Sequence, residues 1–376
     1  MKALTFLFAS AAVLAACQSQ PTSYKITGTV EEGSKIKDST LAVITKMTAN
    51  GPEFIDTAKV EKKQFVFDGK ADTTELLSIY FFEEGKSRPY TYPVDFVYEN
   101  GNITIQCKEN STVVAGTANN DLLNSLNMKN DSISAPLNPI YEALKDTTLS
   151  EEERSAKIAE FQEMRRDVMT QTQELYKTFI NNNLENVVGY TMFVRNCSSL
   201  FTLEEQEAII AKLPAAYANS EEIQGIKETI ELDKKTAVGQ KFTDFTMKTP
   251  EGKDLSLSEI VAKNKVTLVD FWASWCGPCR AEMPNVVAAY KTFKSKGLEI
   301  LGVSLDDNKD KWTKAIKDLN ITWPQMSDLK GWECEGAKLY NVRGIPSTLL
   351  IGQDGTILAK DLRGKELEDK LGELLK

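Results

Sequence analysis

Asp270–Cys279 reads DFWASWCGPC, the end of the apolar run VTLVDFWAS followed by two cysteines with Gly-Pro between them. The run predicts a buried strand, and CRAEMPNVVAAYKTFKSKG predicts a helix with a glycine stop. A Cys-x-x-Cys pair at such a junction sets its first thiol among unpaired N–H groups at the positive end of a helix dipole. Thiolate is favoured over thiol there, so Cys276 is expected to have a lowered pKa and to be the attacking nucleophile. Cys279, one turn further in, is placed to attack the resulting mixed disulfide and release the product. Pro278 stiffens the turn and removes one donor. A zinc site is short of ligands, because the chain holds no second Cys-x-x-Cys and no His. A permanent structural disulfide is compatible with the spacing.

Working outward, LEILGVSL and STLLIGQ read as strands, KDKWTKAIKDLN as a helix, and TILAKDL and ELEDKLGELLK as a last strand and closing helix beyond the turn Asp354-Gly355. On the other side, VGQKFTDFTMKTPEGKDLSLSEI reads as a leading hairpin with a Pro-Glu-Gly turn. Residues 238–376 therefore predict an α/β sheet that is parallel in part. Residues 118–237 carry helical periodicity, and Ser150 with Glu153 and Thr202 with Glu205 have capping-box spacing. This stretch is expected to be a helical connector or small bundle. Residues 22–117 alternate apolar and polar residues, with Asn100-Gly101 as a hairpin signal, and predict a small antiparallel β-sandwich or barrel. The expected architecture is multidomain: β-sandwich or barrel, helical connector, and a C-terminal α/β domain.

The N-terminus, MKALTFLFASAAVLAAC, is one Lys and an apolar run shorter than the ~20 residues a membrane span needs, so residues 1–17 read as a signal peptide. Its end, LAAC, resembles the lipobox of bacterial lipoproteins, which implies lipidation of Cys17. The expected location is the cell envelope, lipid-anchored and facing the periplasm, where disulfides persist. The net charge of −9 argues against a nucleic-acid partner, and the absence of His removes Ser-His-Asp and Cys-His catalysis. No metal or other cofactor is called for.

DFWASWCGPC together with VRGIPST some seventy residues later resembles the thioredoxin superfamily and, within it, the membrane-tethered, periplasm-facing TlpA/ResA-like thiol-disulfide oxidoreductases. The resemblance covers roughly residues 238–376. It implies a thioredoxin fold, Cys276 as nucleophile and Cys279 as resolving thiol of a redox-active disulfide. Pro346, after Ile345, matches the cis-proline loop that faces the dithiol and pairs with an incoming peptide. Trp275, Gly277 and Pro278 complete the expected substrate-binding surface, and Pro284 matches the proline that bends the active-site helix.

Resolution needs a proton acceptor. Asp270, in the predicted buried strand, is the favoured one because desolvation raises its pKa; Glu282, on the Cys279 face of the helix, is the second candidate. The implied partners are exported cysteine-containing proteins and a membrane electron donor. Gly-Pro between the cysteines is the dipeptide of reducing thioredoxins, which favours a disulfide reductase over an oxidant. A different class of function makes the first 235 residues an envelope-binding scaffold and the C-terminal domain a redox sensor. Cys107, Cys197 and Cys334 are unassigned, with Cys334 expected to be a half-buried free thiol and a Cys107–Cys197 bridge left open. Oligomeric state is not readable.

Overall fold

The structure is a computed structural model and describes residues 21–48 and 51–376. The chain divides into two compact units, one ending at Asn219 and one running from Ser220 to Lys376.

Among the described residues, the first unit opens with eight strands: β1 Tyr24–Val30, β2 Leu41–Thr48, β3 Gly51–Lys59, β4 Gln64–Gly69, β5 Glu75–Phe82, β6 Val94–Tyr98, β7 Gly101–Cys107 and β8 Thr112–Ala115. They form two open four-stranded sheets, ordered β4-β1-β7-β8 and β3-β2-β5-β6. Alternation buries every second side chain of β1, β4 and β7, and Ile26, Ile44, Phe65, Phe67, Ile79, Phe81, Phe96, Ile103 and Ile105 form the shared core. The sandwich expectation holds and the barrel alternative does not.

Two local expectations are corrected. Asn100-Gly101 is not a hairpin, because β6 and β7 lie in different sheets. The Asn100 amide both accepts from Ala71 N and donates to Ala71 O, at 2.9 Å each, while Gly101 N–H donates to Ser23 O, which sends β7 alongside β1. Gly101 makes the crossing at φ 142°, where a side chain is disfavoured. The sheet is consequently mixed, since β1 and β7 pair in parallel.

Six helices complete this unit: α1 Ala118–Ser134, α2 Leu137–Leu144, α3 Glu151–Asn182, α4 Val187–Leu200, α5 Leu203–Ile210 and α6 Ala215–Ala218. Both predicted capping boxes form, at Ser150 and Thr202. The buried Asn120 of α1 accepts from Val97 N and donates to Val97 O, and Arg195 of α4 pairs with Asp95 of β6 at 2.8 Å. The helices thus pack onto the sandwich.

The second unit contains α7 Glu221–Lys235, the hairpin β9 Thr246–Lys248 with β10 Asp254–Ser256, α8 Leu257–Val261, β11 Val266–Trp272, α9 Gly277–Phe293, β12 Leu298–Ser304, α10 Lys309–Asp318, β13 Gln325–Met326, α11 Glu335–Leu339, β14 Ser347–Gly352, β15 Ile357–Lys360 and α12 Gly364–Leu374. Its sheet runs β13-β12-β11-β14-β15, with β11 parallel to β12 and antiparallel to β14. All seven residues of central β11 are buried. A central strand covered on both faces is why its sequence is a continuous apolar run and not an alternating one.

Candidate active site

The dithiol sits where β11 gives way to α9. Cys276 is the N-cap of α9, and its Sγ accepts the Cys279 N–H at 3.1 Å. A disulfide joins the two cysteines. The turn before them is held by Asp306, two residues past the end of β12, a buried carboxylate that accepts Ser274 N–H (2.9 Å), Ser274 Oγ–H (2.5 Å) and Ser304 Oγ–H (2.7 Å). Trp272, fully buried, donates its indole N–H to Gln325 Oε1 at 3.0 Å. Gly302 leaves room for that side chain, since a Cβ there would meet Gln325 Nε2 at 2.0 Å.

Opposite, the Ile345–Pro346 bond is cis, and Ile345 O lies 3.6 Å from Cys276 Sγ. Pro346 is buried and Ile345 half-buried. The sulfurs are nearly covered, with Cys276 4% and Cys279 2% exposed, whereas Gly277, Pro278 and Trp275 form an exposed rim. Trp275 packs against Trp332 with ring centroids 6.2 Å apart.

Asp270 is 3% exposed, and burial pushes its carboxyl up to about 7, helped by the negative charge of Glu282 and opposed by the Arg363 guanidinium. Glu282 is occupied elsewhere: its carboxylate accepts the Gly364 N–H at 2.7 Å and the Asn285 amide at 3.0 Å, fastening α9 to the first turn of α12. Arg363 donates to the Pro346 carbonyl, so one cation touches the cis-proline loop and biases the buried acid.

The structure brings Ile345 and Pro346 to the dithiol and its rim of Trp275, Gly277 and Pro278, the arrangement that the family resemblance implies. Sequence reasoning missed Asp306, Arg363 and Trp332. Asp306 was findable, because ligand and catalytic groups of α/β sheets gather at the carboxyl ends of strands and LEILGVSLDD ends one. Arg363 carries no local signal.

Cys17 lies outside the described residues. Cys334 is fully buried and not half-buried, its thiol pushed up by desolvation against the pull of the Ala337 and Gly336 N–H groups. Cys107 is a free thiol in the sandwich core, pushed up to about 12 by burial, so no Cys107–Cys197 bridge forms. Cys197 is buried, with its thiol directed at Val194 O (3.9 Å).

The AhpC/TSA family model matches residues 238–360, and a domain of unknown function (DUF4369) matches residues 24–123. The chain is 30% identical over 144 residues to thiol-disulfide oxidoreductase ResA of Bacillus thuringiensis subsp. konkukian, covering 38% of this chain and 80% of the relative. It is 34% identical over 139 residues to thioredoxin-like protein YneN of Bacillus subtilis, covering 35% and 78%. Among solved structures, a thiol-disulfide oxidoreductase from Bacteroides fragilis is 35% identical with TM-score 0.35, covering 36% of this chain and all of the other. A thioredoxin-like protein from Bacteroides caccae is 20% identical with TM-score 0.43, covering 61% and 87%. No helix among the described residues is long and apolar enough to cross a membrane.

Proposed function

The chain belongs to the ResA-like thiol-disulfide oxidoreductases of the thioredoxin superfamily, and from that premise we propose that it is a lipid-anchored, periplasm-facing reductase of disulfides in exported proteins. The observation that carries this reading is the sulfur of Cys276, which accepts an amide hydrogen at a helix N-terminus and is already joined to Cys279. Reduced, the same geometry stabilises a Cys276 thiolate.

That thiolate attacks one sulfur of a substrate disulfide; the substrate S–S bond breaks, a mixed disulfide forms, and the first substrate thiolate leaves. Cys279 gives its proton to Asp270 and attacks Cys276 Sγ. The second substrate thiolate is expelled, and the protein is left with the Cys276–Cys279 disulfide. Two electrons pass to the substrate, and a membrane electron donor restores the dithiol. Asp270 suits the acceptor role because a carboxyl poised at about 7 exchanges protons readily at neutral pH, whereas Glu282 is engaged by two donors. Attachment through Cys17 rests on the LAAC sequence alone.

The direction of electron flow is tested by equilibrating the chain against glutathione or dithiothreitol and reading the peptide that holds both cysteines by alkylation and mass spectrometry. A reduction potential below about −200 mV is expected; one near about −120 mV would make the protein an oxidant instead. The AhpC/TSA match favours one second reading, hydroperoxide as the electron acceptor. Peroxide consumption that survives Cys279→Ser would support it.

A further inference from the structure

Among the described residues of the second unit, three large apolar side chains are exposed: Val238, Trp275 (51%) and Trp332 (48%). Two of the three pack on each other, tilted by 53°, beside the reactive sulfur. Trp275 is placed there by its position before Cys276. Trp332 arrives from a different loop, and that loop is built to hold it. Asp328 accepts the N–H groups of Lys330 (3.2 Å) and Glu335 (3.0 Å), Gly331 turns the chain at φ 59°, and Cys334 two residues on is fully buried. An ion pair between Glu333 and Lys338 ties the loop to α11.

Two half-exposed indoles packed together make a contiguous apolar patch, and such patches mark binding surfaces. What covers this one follows from the burial of the sulfurs. With Cys276 4% exposed, a substrate sulfur reaches it only by descending to the rim, so the residues flanking the substrate cysteine come to rest on that rim. We propose that Trp332 and Trp275 form an apolar ledge selecting extended cysteine-containing segments that carry an aromatic or large aliphatic side chain next to the reacting cysteine. Preset rings bind such a side chain without first being ordered. This rests on the oxidoreductase reading and adds the class of substrate. Trp332 is a specificity residue that makes no bond to sulfur.

The test uses the reduced full chain and three disulfides that release thionitrobenzoate when attacked: the small aromatic disulfide of that thiol itself, and two otherwise identical peptides bearing it on cysteine, one with Phe and one with Ser beside the cysteine. Each reduced chain reacts once, so single-turnover release is followed with substrate in excess, and the wild-type chain is expected to react with the Phe peptide about tenfold faster, in second-order rate constant, than with the Ser peptide. Trp332→Ala should remove about that advantage, chiefly by raising the half-saturating peptide concentration, while the Ser peptide and the small disulfide stay within about twofold; Trp332→Phe should restore most of it. Equal turnover of both peptides by wild type would overturn the ledge. So would a uniform slowing of all three substrates by Trp332→Ala, which marks a loop-folding role, or a change in solution mass with that variant, which marks a contact between copies. No release from any of the three by wild type would sink the oxidoreductase reading itself.

Discussion

Cys107 in the sandwich and Cys276 in the thioredoxin-like unit are almost equally buried, at 2% and 4% exposed, yet their surroundings differ. Cys107 ends strand β7 in an apolar core, where desolvation alone acts and drives its thiol up to about 12. Cys276 caps a helix and meets an amide hydrogen at 3.1 Å. The contrast teaches that burial by itself makes a cysteine inert. An equally hidden sulfur needs oriented N–H groups to act as a nucleophile, because they supply the charge stabilisation that water would otherwise give. The two acids of the second unit make a similar pair. Asp270 is held off water and rises to about 7, while Glu282 spends its carboxylate on the N–H of Gly364.

The comparison breaks first at the cysteines. Cys276→Ser should lower disulfide reduction, followed with insulin or a chromogenic disulfide, by about a thousandfold or more, as removal of a covalent nucleophile does. Activity retained in that variant would move the nucleophile elsewhere.

Asp270→Asn comes next. Loss of the proposed proton acceptor should slow resolution of the mixed disulfide about a hundredfold near neutral pH, read by quenched-flow trapping of the intermediate. Stability should move the other way. A carboxyl whose folded pKa is raised from 3.8 to about 7 binds more protons folded than unfolded, so its stabilising contribution is present at low pH and is lost as pH climbs between those values. Relative to the Asn variant, wild type should weaken from about pH 4 to about pH 7, by at most a few kcal/mol, and the gap should level off above that. Denaturant titrations across pH that show no divergence would contradict a tuned Asp270.

A smaller effect separates the charges around that acid. Glu282→Gln removes a negative neighbour and should shift the pH midpoint of resolution down, whereas Arg363→Gln removes a positive one and should shift it up, each by about one unit or less. Shifts of the same sign would show that the two side chains act through structure and not through charge. Smallest of all, Cys107→Ala should leave turnover within about twofold while costing about 1 kcal/mol of stability, for the loss of a buried side chain. A large loss of activity would give the sandwich a part in the chemistry.

Much of the second unit was legible because its signals are local. VTLVDFW is continuous in sequence and buried along its whole length in the sheet, and in the first unit the capping boxes at Ser150 and Thr202 each close within four residues. The dithiol could be read for the same reason: strand end, cysteine and helix start are consecutive. The Asn100-Gly101 hairpin failed where the local signal competed with a distant one, the hold of Asn100 on Ala71 and of Gly101 on Ser23. Arg363 reaches the Pro346 carbonyl from seventeen residues away, and Asp306 reaches Ser274 across thirty-two. No spacing rule connects such pairs.

The amino-acid sequence by itself determined the strand-to-helix junction that carries the dithiol and marked Cys276 as the expected nucleophile, since a helix dipole acts on the residue that begins the helix. Only the tertiary structure decided that Glu282 is engaged by Gly364 and Asn285, which strand lies beside β1, and that Trp332 stands next to Trp275 at the rim. Desolvation and side-chain contact depend on what the chain brings back from a distance, and that is settled when the sheet and its covering helices have packed.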